Sequence, residues 1–129
     1  MSVARSTGAF VGTDESTLQN IAASTTHTGS EVDLFGDNTT LGEAFIYVVI
    51  TSNTGLSTAS IDLKFNPRRV TGQVYSQESF TVNLLTINGT KKVPLGLRPV
   101  SRFMNVEVRN NDGTDDVDVA VLYELFKMA

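Results

Sequence analysis

The feature that most constrains this chain is a side-chain alternation of period two, which recurs along most of its length. Val117, Val119, Val121, Tyr123 and Leu125 fall on one face of an extended backbone, with Asp118 and Glu124 on the other. Ile61, Leu63 and Phe65 alternate in the same way with Asp62, Lys64 and Asn66, and Phe80, Val82 and Leu84 with Thr81 and Asn83. Met104, Val106 and Val108 oppose Asn105, Glu107 and Arg109. Successive side chains of a strand point to opposite faces, so each run describes a strand with one buried face. Residues 44–50 are apolar on both faces, as expected of a central strand covered on both sides or of one at a subunit contact. No helical period of useful length competes, although residues 15–23 could form a turn or two.

Turn residues punctuate the runs: Phe35-Gly36-Asp37-Asn38, Ser52-Asn53-Thr54-Gly55, Asn66-Pro67, Asn88-Gly89 and the stretch 110–113. Asn88-Gly89 predicts a two-residue hairpin joining 84–87 to 90–93, because both residues accept positive φ. About seven or eight strands at about ten-residue spacing predict an all-β fold. The expected architecture is a single antiparallel β-sandwich, jelly-roll-like, with an immunoglobulin-like topology as the alternative.

The first part of the chain differs. Residues 1–29 are rich in Ser, Thr, Gly and Ala, with scattered apolar residues at Phe10, Val11, Leu18 and Ile21. A segment this polar buries little surface by itself. It is therefore expected as an extended N-terminal arm, ordered by a partner through those four anchors, ahead of a sandwich domain over 30–129. A chain of 129 residues holds one domain. No apolar run approaches the ~18 residues that span a bilayer, so no membrane partner is expected. Residues 1–10 lack the apolar segment of a signal peptide, so secretion by that route is not expected.

Composition removes most catalytic chemistry. There is no Cys and one His, which excludes thiolate nucleophiles, thiolate metal sites and any metal site needing two imidazoles within one chain. That residue, His27, lies in the polar stretch Thr25-Thr26-His27-Thr28-Gly29, where an ordinary exposed His competes with a cluster around an oligomer axis. No glycine run cradles a phosphate ahead of a helix, and no carboxylate pair sits in a glycosidase motif. The chain is therefore expected to be no enzyme and to need no cofactor. Ten Lys and Arg against fourteen Asp and Glu leave a net charge of −4, which argues against nucleic-acid binding.

Candidate contact residues remain. Asp112, Asp115, Asp116 and Asp118 follow Asn110 and Asn111 around Gly113 and resemble a calcium loop in composition. The competing reading is a hairpin turn between 102–109 and 117–126. Asn38-Thr39-Thr40 and Asn88-Gly89-Thr90 match the glycosylation sequon, and turn formation explains both. The basic pairs Arg68-Arg69 and Lys91-Lys92, with Arg98 and Arg102, stand beside prolines or turns. If these ends cluster they form a positive docking patch; otherwise they are solvated loop charge. Leu122 and Phe126 fall on the face opposite the core residues of the last strand, which suggests a buried contact there.

In its layout the chain resembles the small cement or decoration proteins of tailed-bacteriophage capsids. The resemblance rests on the Ser/Thr/Gly/Ala-rich segment from Ser2 to Gly29 and on a body of short strands without Cys or Trp. It rests also on the late strand pair, Arg102 to Asn110 followed by Asp116 to Tyr123. It implies a jelly-roll protein that forms homodimers or homotrimers on the capsid exterior of a virion, after synthesis in the host cytoplasm. Its partner would be the major capsid protein, whose neighbouring subunits it would bridge and stabilise. The alternative is a carbohydrate- or calcium-dependent binding module of a phage or cell-surface receptor-binding apparatus.

Overall fold

The computed structural model describes residues 3–34, 42–52, 60–68, 78–83, 89–100 and 102–128. Ten strands run through them: β1 (Val3–Val11), β2 (Gln19–Ile21), β3 (Thr26–Thr28), β4 (Val32–Asp33), β5 (Gly42–Ser52), β6 (Ser60–Arg68), β7 (Glu78–Asn83), β8 (Gly89–Val100), β9 (Phe103–Asn110) and β10 (Val117–Met128). Among the described residues there is no helix; the segment that could have formed one instead carries β2.

All pairings are antiparallel and they build two sheets. In sheet 1 the order is β1-β10-β5-β8, with β2 following β1 along the same flank of β10. In sheet 2 it is β3-β9-β6-β7, with β4 following β3 along β9. Taken as two interrupted strands, β1/β2 and β3/β4 reduce the chain to eight strands. The first, eighth, third and sixth lie side by side in sheet 1, and the second, seventh, fourth and fifth in sheet 2. That is the strand order of a jelly roll, and it replaces the immunoglobulin-like alternative.

This topology overturns the expected hairpin over 102–126, while the first strand of the other expected hairpin, 84–87, lies outside the described residues with Asn88. Residues 90–93 pair with β5, through Thr51↔Thr90 and Val48↔Val93, while β7 lies in the other sheet. Strand β9 belongs to sheet 2 and β10 to sheet 1, so residues 111–116 cross between sheets instead of closing a hairpin. Pro67 is also within a strand, opposite Met104. Among the described residues its partner at that level is β9.

The two inner faces meet in one core. Sheet 1 contributes Ala44, Ile46, Val48, Ile50, Val117, Val119, Val121 and Leu125, and sheet 2 contributes Ile61, Leu63, Phe65, Val82, Met104, Val106 and Val108. A bulge in β8, with Gly96 at φ +86°, aims Leu95 at this core and lets the strand resume register with β5. At the β7–β8 side, the Arg98 guanidinium sits 4.6 Å from the Phe80 ring centroid, and Phe80 packs edge-on against Phe65 at 5.4 Å.

Residues 1–29 are not a free arm in the described structure. β1 pairs with β10 from Val3↔Met128 to Val11↔Val121, and an irregularity between Ala9 and Val11 lets both Phe10 and Val11 enter the core. Phe10 also stacks on Tyr123, with ring centroids 4.7 Å apart. Ile21 is 2% exposed and belongs to the same core. Three of the four expected partner anchors thus anchor the segment to its own body. A stretch too polar to fold alone is ordered by an edge already present on each sheet.

Candidate binding surface

The outer faces of the two sheets are chemically unlike. On sheet 2 the outward residues of β6 and β9 are directly opposed as Asp62↔Arg109 and Lys64↔Glu107. Asn66 donates to the Glu107 carboxylate at 3.1 Å, and Thr81 donates to Asp62 at 2.8 Å. This face is an array of cross-strand charges and hydroxyls. A shallow depression of about 420 Å³ on it is lined by Thr26, Asp62, Lys64, Ser79, Glu107 and Arg109, among others.

Sheet 1 turns a second apolar cluster outward. Val49, Ala120 and Leu122 are buried there, with Ala9, Leu18 and Tyr47 packed against them. The register explains the grouping, because Ala9↔Leu122↔Tyr47 form one cross-strand row and Ala120↔Val49 part of the next. What covers the cluster is the segment 12–18, which folds over the sheet as a strap. The Asp14 carboxylate ties the strap's turn, accepting from the Ser16 amide at 2.9 Å, the Ser16 hydroxyl at 2.9 Å and the Thr17 amide at 2.8 Å. These bonds, the Ser16 amide foremost, hold the Asp14 carboxyl below its ordinary 3.8. The Thr13 amide closes the turn on the Thr17 carbonyl.

From the crest of the strap Glu15 reaches Lys92 on β8 at 2.9 Å. That bond raises the Lys92 ammonium above its usual range. Tyr47 lies under the same strap, and desolvation, reinforced by Glu15, raises its phenol. Leu18 is half-buried on the sheet beneath. Beyond the strap the face stays apolar but uncovered among the described residues: Phe45 and Phe126 are half-buried, and Leu97 is 56% exposed. The Phe45 and Tyr47 rings lie 6.2 Å apart. Glu43 and Glu124 alternate with these aromatics, directly opposite Phe126 and Phe45 respectively.

Several expected residues take other places. Leu122, expected outward and exposed, is outward but only 4% exposed, because the strap and its neighbours cover it. Phe126 is outward and half-buried. Lys91 and Lys92 are exposed near the end of the sandwich where Ser52 meets Gly89. Arg68 lies opposite Phe103 at the other end, where Arg102 pairs with Asp33 at 3.2 Å. The basic pairs therefore do not converge on one patch. Arg69 and both sequon asparagines, Asn38 and Asn88, are outside the described residues.

The acidic run also has structural employment. Asp112 accepts from the Thr114 and Asp115 amides at 2.9 and 3.1 Å, an Asx turn. The Asn20 amide bridges Asp116 at 2.6 Å and Asp118 at 2.8 Å, tying β2 to the start of β10. Among the described residues no three His, Asp or Glu gather as a metal site. Asn110, fully buried, anchors the crossing: it donates to the Ile21 and Asp115 carbonyls at 3.2 and 2.9 Å and accepts from the Asp112 amide at 2.9 Å. His27 is half-buried in a crevice of about 400 Å³ lined by Phe10, Val11, Leu18 and Val32 among others, with no carboxylate among the described lining residues.

No family model matches the sequence, and no curated protein matches it at a significant level. Solved structures match its shape. Infectious bursal disease virus of the Gx strain aligns with a TM-score of 0.66 at 11% identity, over 96% of this chain and 32% of the viral one. The VP2 subviral particle of the same virus aligns with a TM-score of 0.62 at 11% identity, over 96% and 32%. The chain thus spans about a third of the length of the viral chains it matches. At this identity the likeness is one of fold: a β-sandwich of the viral capsid jelly-roll type.

Proposed function

We propose that the chain is a structural protein of a virus particle, and that it acts by binding and not by catalysis. The observation that carries the reading is the uncovered apolar part of the outer face of sheet 1, where Phe45, Phe126 and Leu97 stand on a jelly roll of the capsid type. Aromatic side chains on a rigid sheet lose little conformational freedom on docking and bury large areas, which suits them to anchor a protein interface.

In its specific form the reading is a decoration protein: it sits on the outside of a phage capsid, bridges neighbouring major capsid protein subunits and works as an oligomer. Many copies on one symmetric shell bind with high avidity even where each contact is weak. The bridging face is sheet 1 and not an N-terminal arm, since residues 3–11 and 19–21 are consumed by the body.

The test is co-sedimentation of the purified chain with capsid shells assembled without it. The double substitution Phe45→Ser and Phe126→Ser is expected to leave the fold intact and to weaken shell binding about tenfold or more. A folded double variant that binds shells as well as the parent chain removes this face from the reading.

A further inference from the structure

A sandwich of open sheets has four edges, and each presents unpaired N–H and C=O groups on which a foreign strand can add. Three of the four are blunted here. The β8 edge carries Pro94 and Pro99, two residues without an N–H, the adjacent Lys91-Lys92 and a bulge at Gly96. Among the described residues the β7 edge is six residues long. On the remaining edge of sheet 2, β3 and β4 are three and two residues, parted by the non-strand stretch 29–31.

The β1 edge is different. It runs nine residues without Pro or Lys, with Arg5 its one charged residue, and Ser6 and Thr7 at its middle are exposed. Its far end is closed by the chain itself: Gly29 packs so tightly on β1 that a Cβ there would come 2.5 Å from the Phe10 carbonyl oxygen. Among the described residues, no backbone hydrogen bond other than the ladder to β10 reaches Val3–Ala9. Among the described residues, seven residues of regular edge strand are left open, with Ser6 at their centre.

We infer that this edge pairs with the same edge of a second copy, antiparallel about a two-fold axis through Ser6. The other three edges of a second copy are too short, too interrupted or too poor in donors to complement it, so within this protein β1 is the matching partner for β1. Antiparallel self-pairing is isologous, uses up both open edges and closes at two chains. The axis stands perpendicular to the sheet, because opposed residues of antiparallel strands share a face. Sheet 1 then continues as β8-β5-β10-β1 of one copy into β1-β10-β5-β8 of the other. Phe45, Leu97 and Phe126 of both copies come to lie on one side of a doubled sheet. The pairing needs only the chain itself, so it stands or falls independently of the virion reading; if both hold, the doubled face is what spans two neighbouring capsid subunits.

Two measurements on the full chain test the pairing. Light scattering over a concentration series is expected to show a dimer that dissociates on dilution. Amide exchange followed residue by residue is expected to show protection at every position from 4 to 9 in the dimer. In the monomer only alternate positions, those facing β10, should remain protected. The outward amides should slow about tenfold when nine-tenths of the chains are paired. Ser6→Pro and Thr7→Pro provide the block, because neighbouring residues point their N–H groups to opposite edges. One variant loses a bond to β10 and is destabilised, and the other loses only an outward donor and is expected to be folded and monomeric. A chain that stays monomeric at millimolar concentration overturns the inference. So does a dimer whose outward β1 amides exchange as freely as in the monomer, since a different surface must then hold it.

Discussion

The two sheets of this sandwich bury the same kind of inner face and present opposite kinds of outer face. On sheet 2, Asp62, Lys64, Glu107 and Arg109 alternate in sign across adjacent strands and are half-buried or exposed. On sheet 1, residues 12–18 cover Val49, Ala120 and Leu122, leaving Phe45, Leu97 and Phe126 beyond the strap. The two outer faces therefore differ in chemistry, and under the proposed function the more apolar one is the face that makes contact.

The difference is broken or sharpened most strongly by substitutions within the outer cluster. Leu122→Ala is expected to cost about 2–4 kcal/mol, as for a core leucine, although it lies on the nominal outside of the sheet. Lys64→Ala on the opposite outer face is expected to change stability by less than about 0.5 kcal/mol. Urea midpoints at unchanged m-value measure both. Equal costs at the two positions would mean that the faces are energetically alike and that the strap covers nothing of consequence.

Next in size is the junction where the faces are joined. Asn110→Ala removes two donors and an acceptor that serve Ile21, Asp115 and Asp112, and leaves those buried or half-buried backbone groups without that partner. A loss of about 1–3 kcal/mol is expected. Asn110→Asp keeps the bond from the Asp112 amide but loses both donated ones, so it should fall no closer to the parent than Ala does. A near-neutral Asn110→Ala would show that the crossing from β9 to β10 is held by its Asx turn alone.

Much of this was legible before any coordinates. The period-two runs located β5, β6, β7, β9 and β10, and the doubly apolar run 44–50 marked β5 as central. The runs could not reveal which sheet each strand joins. Alternation records that one face is buried, and strands of either sheet satisfy it equally, so 110–116 reads as a hairpin although the chain crosses between sheets there. The N-terminal segment was misjudged for a related reason. Its polarity is real, yet an edge strand needs only backbone pairing and a few apolar contacts, and Phe10, Val11 and Ile21 provide them. The strap has a readable trace in the sequence: Asp14 followed by Ser16 and Thr17 is Asx-turn chemistry, and Val49, Ala120 and Leu122 are apolar at outward positions.

A smaller effect is expected at the clasp of the strap. Glu15→Gln removes the charge that meets Lys92 while both side chains remain largely exposed. Global unfolding should barely move, since exposed pairs contribute little. Exchange of the amides between Thr13 and Leu18 should quicken, and added salt should produce the same quickening in the parent chain. If the strap loosens equally in Lys92→Met and in the double variant, the pair accounts for the clasp; additive loosening would assign it to two separate contacts.

The smallest and most local effect is in acid. The Asp14 carboxyl is held below its ordinary 3.8 because its ionised form accepts the Ser16 and Thr17 amides. A group with a depressed folded value binds fewer protons folded than unfolded, so its contribution is present above pH 3.8 and lost as pH falls through the lower value. Between about pH 4 and pH 2 the Ser16 and Thr17 amides should therefore exchange faster, relative to the intrinsic rate, while core amides such as those of Val119 and Val121 hold. Asp14→Asn retains an oxygen acceptor without the titration, so it should keep the turn and flatten that pH response. Asp14→Ala should loosen the turn at every pH. Were core and strap amides to weaken together in acid, the strap would be part of the same cooperative unit as the sandwich beneath it. The cover over sheet 1 would then be a permanent part of that face and not a separable layer on it.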